Sequence, residues 1–189
     1  MQPYETDIQH CLQAFQHHGI ILYPTDTIWG LGCPADDPKA IQKIFDLKQR
    51  PSNKSFILLM TDVKMLFHYI ANPLPDLQAL LQQFQEPTTL IYPNGINLPN
   101  DVIGEDGSVA VRITQDPFCR SLIKRIRKPL VSTSANISGE PGAALFSEVN
   151  IKIRDGVDYT VTWRQDETTT SKASSIYKVE PNGSLIKLR

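Results

Sequence analysis

Short apolar runs, each too brief to be a helix, alternate along this chain with segments of 3- and 4-residue hydrophobic spacing. That alternation restricts it to a layered α/β fold. Residues 20–23 form one such run, closed by Pro24, and residues 56–60 form another; strands are also read at 88–92, 108–114 and 129–133. Ile8, Cys11, Leu12 and Phe15 mark a first helix, with Thr6 or Asp7 placed to cap it and Gly19 to stop it. Asp37 and Pro38 open a second, which buries Ile41, Ile44 and Phe45. A short helix follows Asp62, another spans about 77–84, and Phe118, Leu122 and Ile126 share the face of a further one. Asn182-Gly183 predicts a two-residue hairpin that pairs Pro181 with Ser184 and sets Arg189 opposite Ile176, within reach of Ser174. Residues 138–171 read as a long irregular connection with one strand near Tyr159. No repeat or linker divides the 189 residues, so the expectation is one domain over 1–189, an open twisted mixed sheet with helices packed around it.

Composition narrows the class. A hydrophobic fraction of 41% with 21% charged residues is that of an ordinary globular protein, not a disordered or fibrous one. No apolar run is long enough to span a membrane, and the first residues lack a signal-peptide pattern. Three cysteines without CxxC spacing favour neither a disulfide framework nor a zinc site, and the expected compartment is the cytoplasm. The net charge is -1, yet residues 111–130 hold six cations against the single Asp116, a local +5. Such a block reads either as an anion site or as a solvated helix face.

Several chemistries are missing. No Gly-Lys pair exists, so there is no P-loop; the four histidines fall in predicted helices; and Gly30–Ala35, although it matches G-x-G-x-x-A, is too far from its strand end to be a dinucleotide turn. Three loop clusters remain. Thr25, Asp26 and Thr27 follow the first strand, where open α/β sheets bind ligands. Lys48, Arg50 and Lys54 close the second helix, able to complement its dipole or to clamp phosphate. Ser132, Thr133, Ser134, Asn136 and Ser138 follow an apolar strand and offer hydroxyls and an amide. Cations, hydroxyls and amides without a base or a covalent nucleophile suit phosphoryl or nucleotidyl transfer, in which positioning and charge neutralisation carry the catalysis.

The segments Tyr23–Gly32, Lys48-Gln49-Arg50-Pro51, Ser108–Arg112 and Ser132–Gly139 resemble the successive motifs of the YrdC-type threonylcarbamoyl-AMP synthases, with a looser echo at Ser174 and Arg189. The resemblance implies a YrdC-like fold around a basic concave cavity. It also implies a nucleotidyltransferase that makes L-threonylcarbamoyl-AMP and pyrophosphate from L-threonine, bicarbonate and ATP, with Mg2+ accompanying ATP. The product would feed a tRNA threonylcarbamoyltransferase complex that modifies position 37. By motif, Lys48, Arg50, Lys54, Ser108, Ser134, Asn136 and Arg189 would serve ATP, with Lys48 and Arg50 catalytic; Thr27, Arg112, Ser132 and Ser174 would serve threonine.

The chain departs from the family pattern at Leu59, where many relatives carry a histidine that contacts threonine, and at Gly142, where many carry serine. An additional C-terminal domain of longer relatives is not expected. Two rivals stand beside the synthase: a non-catalytic RNA-binding module that uses the basic face, with weak tRNA or RNA binding, and a paralogue with another substrate, which Leu59 favours.

Overall fold

A computed structural model describes residues 2–49, 56–74 and 76–189. In chain order the first elements are α1 (Glu5–Gln16), β1 (Ile21–Tyr23), β2 (Gly30–Pro34), α2 (Pro38–Lys48), β3 (Ile57–Met60), α3 (Val63–Leu66), α4 (Leu77–Gln82) and β4 (Thr88–Tyr92). There follow β5 (Val109–Ile113), α5 (Pro117–Ile126), β6 (Leu130–Ser134), α6 (Ile151–Asp155), β7 (Tyr159–Thr160), β8 (Ser175–Val179) and β9 (Leu185–Lys187). The strands form one mixed sheet in the order β7-β1-β2-β6-β3-β5-β4-β8-β9. Parallel pairs (β1/β7, β3/β5, β4/β8) are interspersed among antiparallel ones.

Four helices start where side chains satisfy their free N–H groups: Asp37 accepts from Ala40 N at 3.1 Å, Asp62 from Met65 N at 2.9 Å, Asp116 from Cys119 N at 2.8 Å and Asn150 from Lys152 N at 3.0 Å. The first helix differs from expectation. It begins at Glu5, so Thr6 and Asp7 lie inside it, and the Tyr4 side chain at its cap makes no capping bond to the helix. Asp7 is buried and accepts instead from Tyr159 Oη (2.6 Å), Thr162 N (2.8 Å) and Trp163 N (3.1 Å), fastening α1 to the chain after β7.

The sheet has two unequal faces. On one, Leu22, Leu31, Leu58, Val111 and Val131 pack with Ile41 and Ile44 of α2 in the main core. On the other, Leu59 and Leu130 join Ile8 and Cys11 of α1 and Phe118, Leu122 and Ile123 of α5. The cover stops partway along the strands. Leu59 pairs with Leu130 beneath the helices; two residues away on the same strands and the same face, Ile57 pairs with Ser132 and both line a cavity. The departure at Leu59 therefore sits in the aliphatic cluster, in register with Arg112.

Gly30–Pro34, given no element by the sequence pattern, is a strand, and Gly32 is what lets it form: a Cβ there would lie 2.4 Å from Val131 O and 2.8 Å from the Tyr23 ring. The tail hairpin pairs Glu180, not Pro181, with Ser184 through a three-residue loop. Gly183 N donates to Glu180 O at 2.8 Å and Gly183 takes φ +85°. In the expected turn Pro181 would have to donate an N–H to Ser184 O, which it lacks. Glu180 N makes that bond at 2.9 Å instead, and Pro181, its φ fixed negative, takes the first central position of a type I turn followed by a left-handed glycine. A bulge then restores the expected end point. Leu188 N and Arg189 N both donate to Ile176 O, at 2.8 and 3.3 Å, so Arg189 does face Ile176.

Candidate active site

The cavity left uncovered by α1 and α5 has a volume of about 380 Å3. Its floor is the sheet itself, with Ile57, Ile91, Ala110 and Ile176 supplying apolar surface. Around them stand seven of the residues singled out from sequence: Thr27, Arg112, Ser132, Ser134, Asn136, Ser174 and Arg189. A larger groove of about 870 Å3, bounded by Asp62, Gln78, Gln82 and Arg120, contains none of these seven.

The turn after β1 is held at every residue. Pro24 O accepts from Cys119 Sγ at 3.5 Å, and Thr25 O from Arg164 Nη1 at 3.1 Å. Asp26 Oδ2 accepts from Thr114 Oγ1 at 3.0 Å and Gln115 N at 3.1 Å. Thr25 Oγ1 receives Thr27 N at 2.9 Å and donates to Ile28 O at 2.8 Å, closing a hydroxyl-capped turn. Arg112 projects from β5 into this turn. It is 4% exposed; Nη1 donates to Thr27 Oγ1 at 3.1 Å and Nη2 lies 3.1 Å from Asp26 Oδ1. That ion pair is close but poorly aligned for a hydrogen bond, and Arg112 Nε is buried with no hydrogen-bond partner among the described residues.

Across the cavity, β6 runs into the serine-rich loop, which docks on the end of α2. The Lys48 ammonium donates to the carbonyls of Ser134 and Asn136 and reaches Asn136 Oδ1 at 3.4 Å, while Ser138 N donates to Lys48 O at 3.0 Å. Asn136 Nδ2 donates to Ile137 O at 2.9 Å and Glu140 O at 2.6 Å. The end of helix two and the hydroxyl-rich loop thus meet, with Lys48 placed behind the wall and not in the lining. Arg50 and Lys54 lie outside the described residues.

At the third side, Ser174 Oγ is 2.8 Å from Thr89 Oγ1, and the Arg189 guanidinium donates through Nε and Nη2 to Ser174 O at 3.0 and 2.9 Å. Ser108 stands just before β5, its N–H bound to Asp106 Oδ1 at 3.0 Å, and is not part of the lining.

The +5 stretch does not converge on one site. Arg112 is buried with Asp26, Arg120 donates to Thr61 O and Thr114 O, Arg125 pairs with Glu5, and Lys128 pairs with Asp36. The histidines are elsewhere too: His10 and His18 contact Tyr159 and Asp37. Burial pushes the Cys33 and Cys119 thiols well up, and among the described residues no three His, Cys, Asp or Glu side chains gather as a metal cage. Two groups that shape the site escaped the sequence reading. Asp26 belongs to a recognised cluster without an assigned role, and Arg164 lies in the irregular connection, where neither periodicity nor spacing marks it.

A family model named for Sua5, YciO and YrdC, and described as Telomere recombination, matches residues 13–189. The threonylcarbamoyl-AMP synthase of Vibrio parahaemolyticus is 38% identical over 152 residues, 79% of this chain and 82% of that protein. Its counterpart in Idiomarina loihiensis is 35% identical over 166 residues, 86% and 87% of the two chains. Among solved structures, E. coli YciO superposes with a TM-score of 0.84 at 20% identity, over 100% of this chain and 90% of that one. P. abyssi Sua5 complexed with L-threonine gives a TM-score of 0.81 at 23% identity, over 96% of this chain and 53% of that chain. The structural likenesses establish the fold, and the sequence matches extend over most of the chain.

Proposed function

This chain belongs to the Sua5/YciO/YrdC family, and from that membership we propose that it is a threonylcarbamoyl-AMP synthase, joining L-threonine, bicarbonate and ATP into L-threonylcarbamoyl-AMP with release of pyrophosphate. The observation that carries the reading is Arg112, a buried guanidinium on the cavity wall with Nη1 on the Thr27 hydroxyl and Nε unpartnered. A buried donor left without a partner is costly, and a carboxylate is its natural complement. The α-carboxylate of threonine would take that place, with the hydroxyls of Thr27, Ser132 and Ser174 around the rest of the amino acid.

The neutral amine of threonine adds to the carbon of CO2 with loss of one N–H proton to solvent, or to that of bicarbonate with loss of water, to give a carbamate. A carbamate oxygen attacks the α-phosphorus of ATP, and the bond to the β-phosphate oxygen breaks as pyrophosphate leaves. The developing charge is on phosphate oxygens, so the work of the protein is positioning and neutralisation. Ser134 and Arg189 would offer a hydroxyl and a guanidinium to the nucleotide, and Asn136 and Lys48 hold the loop carrying Ser134. Arg50 and Lys54 follow directly in sequence and are assigned to the triphosphate with Lys48; Ser108 is assigned to the nucleotide. Mg2+ is expected on ATP oxygens and water, the usual arrangement for a triphosphate substrate. The product would be consumed by a tRNA threonylcarbamoyltransferase acting at position 37.

Four of the six cations in the +5 stretch (Arg112, Arg120, Arg125 and Lys128) are engaged by protein groups, which weakens the case for an RNA-binding module that reads a phosphate backbone with this stretch. Incubation with ATP, Mg2+, bicarbonate and L-threonine should release pyrophosphate, and omission of threonine should abolish the release. Release indifferent to threonine would defeat the proposal.

A further inference from the structure

Arg164 belongs to no motif, yet its guanidinium joins three segments, one of which, the turn at Thr25, lines the cavity. Nη1 donates to Asp116 Oδ2 at 2.8 Å and to Thr25 O at 3.1 Å, and Nε donates to Glu167 Oε1 at 2.6 Å. Asp116 is 4% exposed and caps α5, so one end of the contact is anchored in the core. Arg164 takes φ +68°, a left-handed conformation that a long side chain rarely adopts and that persists where the surroundings over-determine it.

The carbonyl of Thr25 that Arg164 holds belongs to the residue whose hydroxyl accepts from Thr27 N and lies 2.9 Å from Thr27 Oγ1. Arg164 therefore stands one residue behind a lining hydroxyl. From Glu167, its third partner, the chain runs through 168–173 to Ser174, another lining hydroxyl on the opposite side. One guanidinium fork thus ties both segments to the same helix cap.

We propose that Arg164 is a positioning residue for the amino-acid half of the cavity, locking the Thr25–Thr27 turn and the segment leading to Ser174 at the spacing the substrate requires. The inference rests on the threonine reading of the site. Lysine can keep the charge opposite Asp116 but cannot bond three partners in one plane, so the fork and the charge are separable.

The test measures pyrophosphate release by the full chain in wild type, Arg164→Ala and Arg164→Lys, with separate KM values for threonine and ATP and a melting curve for each protein. Both variants should raise the threonine KM about tenfold, the scale of one misplaced hydrogen-bonding group, while the ATP KM and kcat stay within about twofold. Arg164→Lys should melt close to wild type, which keeps the test readable if Arg164→Ala folds poorly. Wild-type release that ignores threonine would remove the underlying reading and the positioning role with it. Threonine-dependent release with an unchanged threonine KM in Arg164→Lys, or with both KM values rising together, would overturn the positioning role alone.

Discussion

The ammonium nitrogen of Lys48 lies 2.7 Å from the carbonyl oxygen of Asn136, and Lys48 is 1% exposed. A cation at the last turn of α2 is thus directed into the loop that carries Ser134, not toward water. Deleting the charge while keeping the stem, as in Lys48→Met, removes the buried ammonium donor from the Asn136 carbonyl and one of two donors from the Ser134 carbonyl. Denaturant unfolding should show a loss of about 2–4 kcal/mol, and pyrophosphate release should fall about 100-fold or more. Near-normal turnover in this variant would separate the loop from catalysis.

The buried Arg112 pairs closely with the partly buried Asp26, so removing either charge confounds recognition with folding. Arg112→Lys avoids this by retaining a cation opposite Asp26 while losing the planar fork. The threonine KM should rise about 10- to 100-fold, matching one charge-assisted bond of about 1.5–3 kcal/mol, with melting nearly unchanged. An unaltered threonine KM would move the carboxylate away from Arg112.

Strand positions with continuous apolar or alternating patterns were legible from sequence because burial alone specifies them; β3, β4, β5 and β6 lie within two residues of expectation. β2 was not, since two of its five residues are glycines, which argue against a strand until the Tyr23 ring and Val131 O are seen to need the room. Asp7 misleads for a related reason. A carboxylate near a helix start resembles a cap, and only the returning chain at Thr162 reveals its partners. Of the seven cavity residues, Thr27, Ser132, Ser134 and Asn136 stood out as hydroxyl- and amide-rich clusters at strand ends, whereas Arg112 and Ser174 came from the family resemblance, and Arg189 from that resemblance together with the hairpin register. Arg164 was not recoverable, because its significance depends on Thr25 and Asp116, 139 and 48 residues away along the chain.

Asp116 gives a pH test. Burial pushes its carboxyl above the ordinary carboxylate value, outweighing the Cys119 N–H and Arg164, which favour the charged form. The native protein then retains a proton that the unfolded chain has released, so the associated stability is present below about pH 3.9 and is lost as pH rises through the raised value. Relative to wild type, Asp116→Asn should therefore gain stability as pH rises from about 4, followed by urea midpoints across the range. A difference flat with pH would show that Arg164 fully offsets the burial.

Gly32 offers the sharpest test of the sheet beneath the site. It pairs with Ser132 across β2 and β6, and the space its side chain would fill is occupied by Val131 O and the Tyr23 ring. The nearer obstacle is backbone, which cannot swing aside as a flexible side chain would. Gly32→Ala must either push β2 from β6 or displace Tyr23, and it should destabilise the protein by about 3 kcal/mol, read as a lowered urea midpoint at unchanged slope. Because Ser132 is the register partner, the surviving folded fraction should also show a raised threonine KM. Gly30→Ala meets nothing nearer than 3.4 Å and serves as the matched control, expected to cost under about 1 kcal/mol. Equal losses in the two variants would show that general strand propensity, rather than the Tyr23–Val131 contact, sets the requirement for glycine.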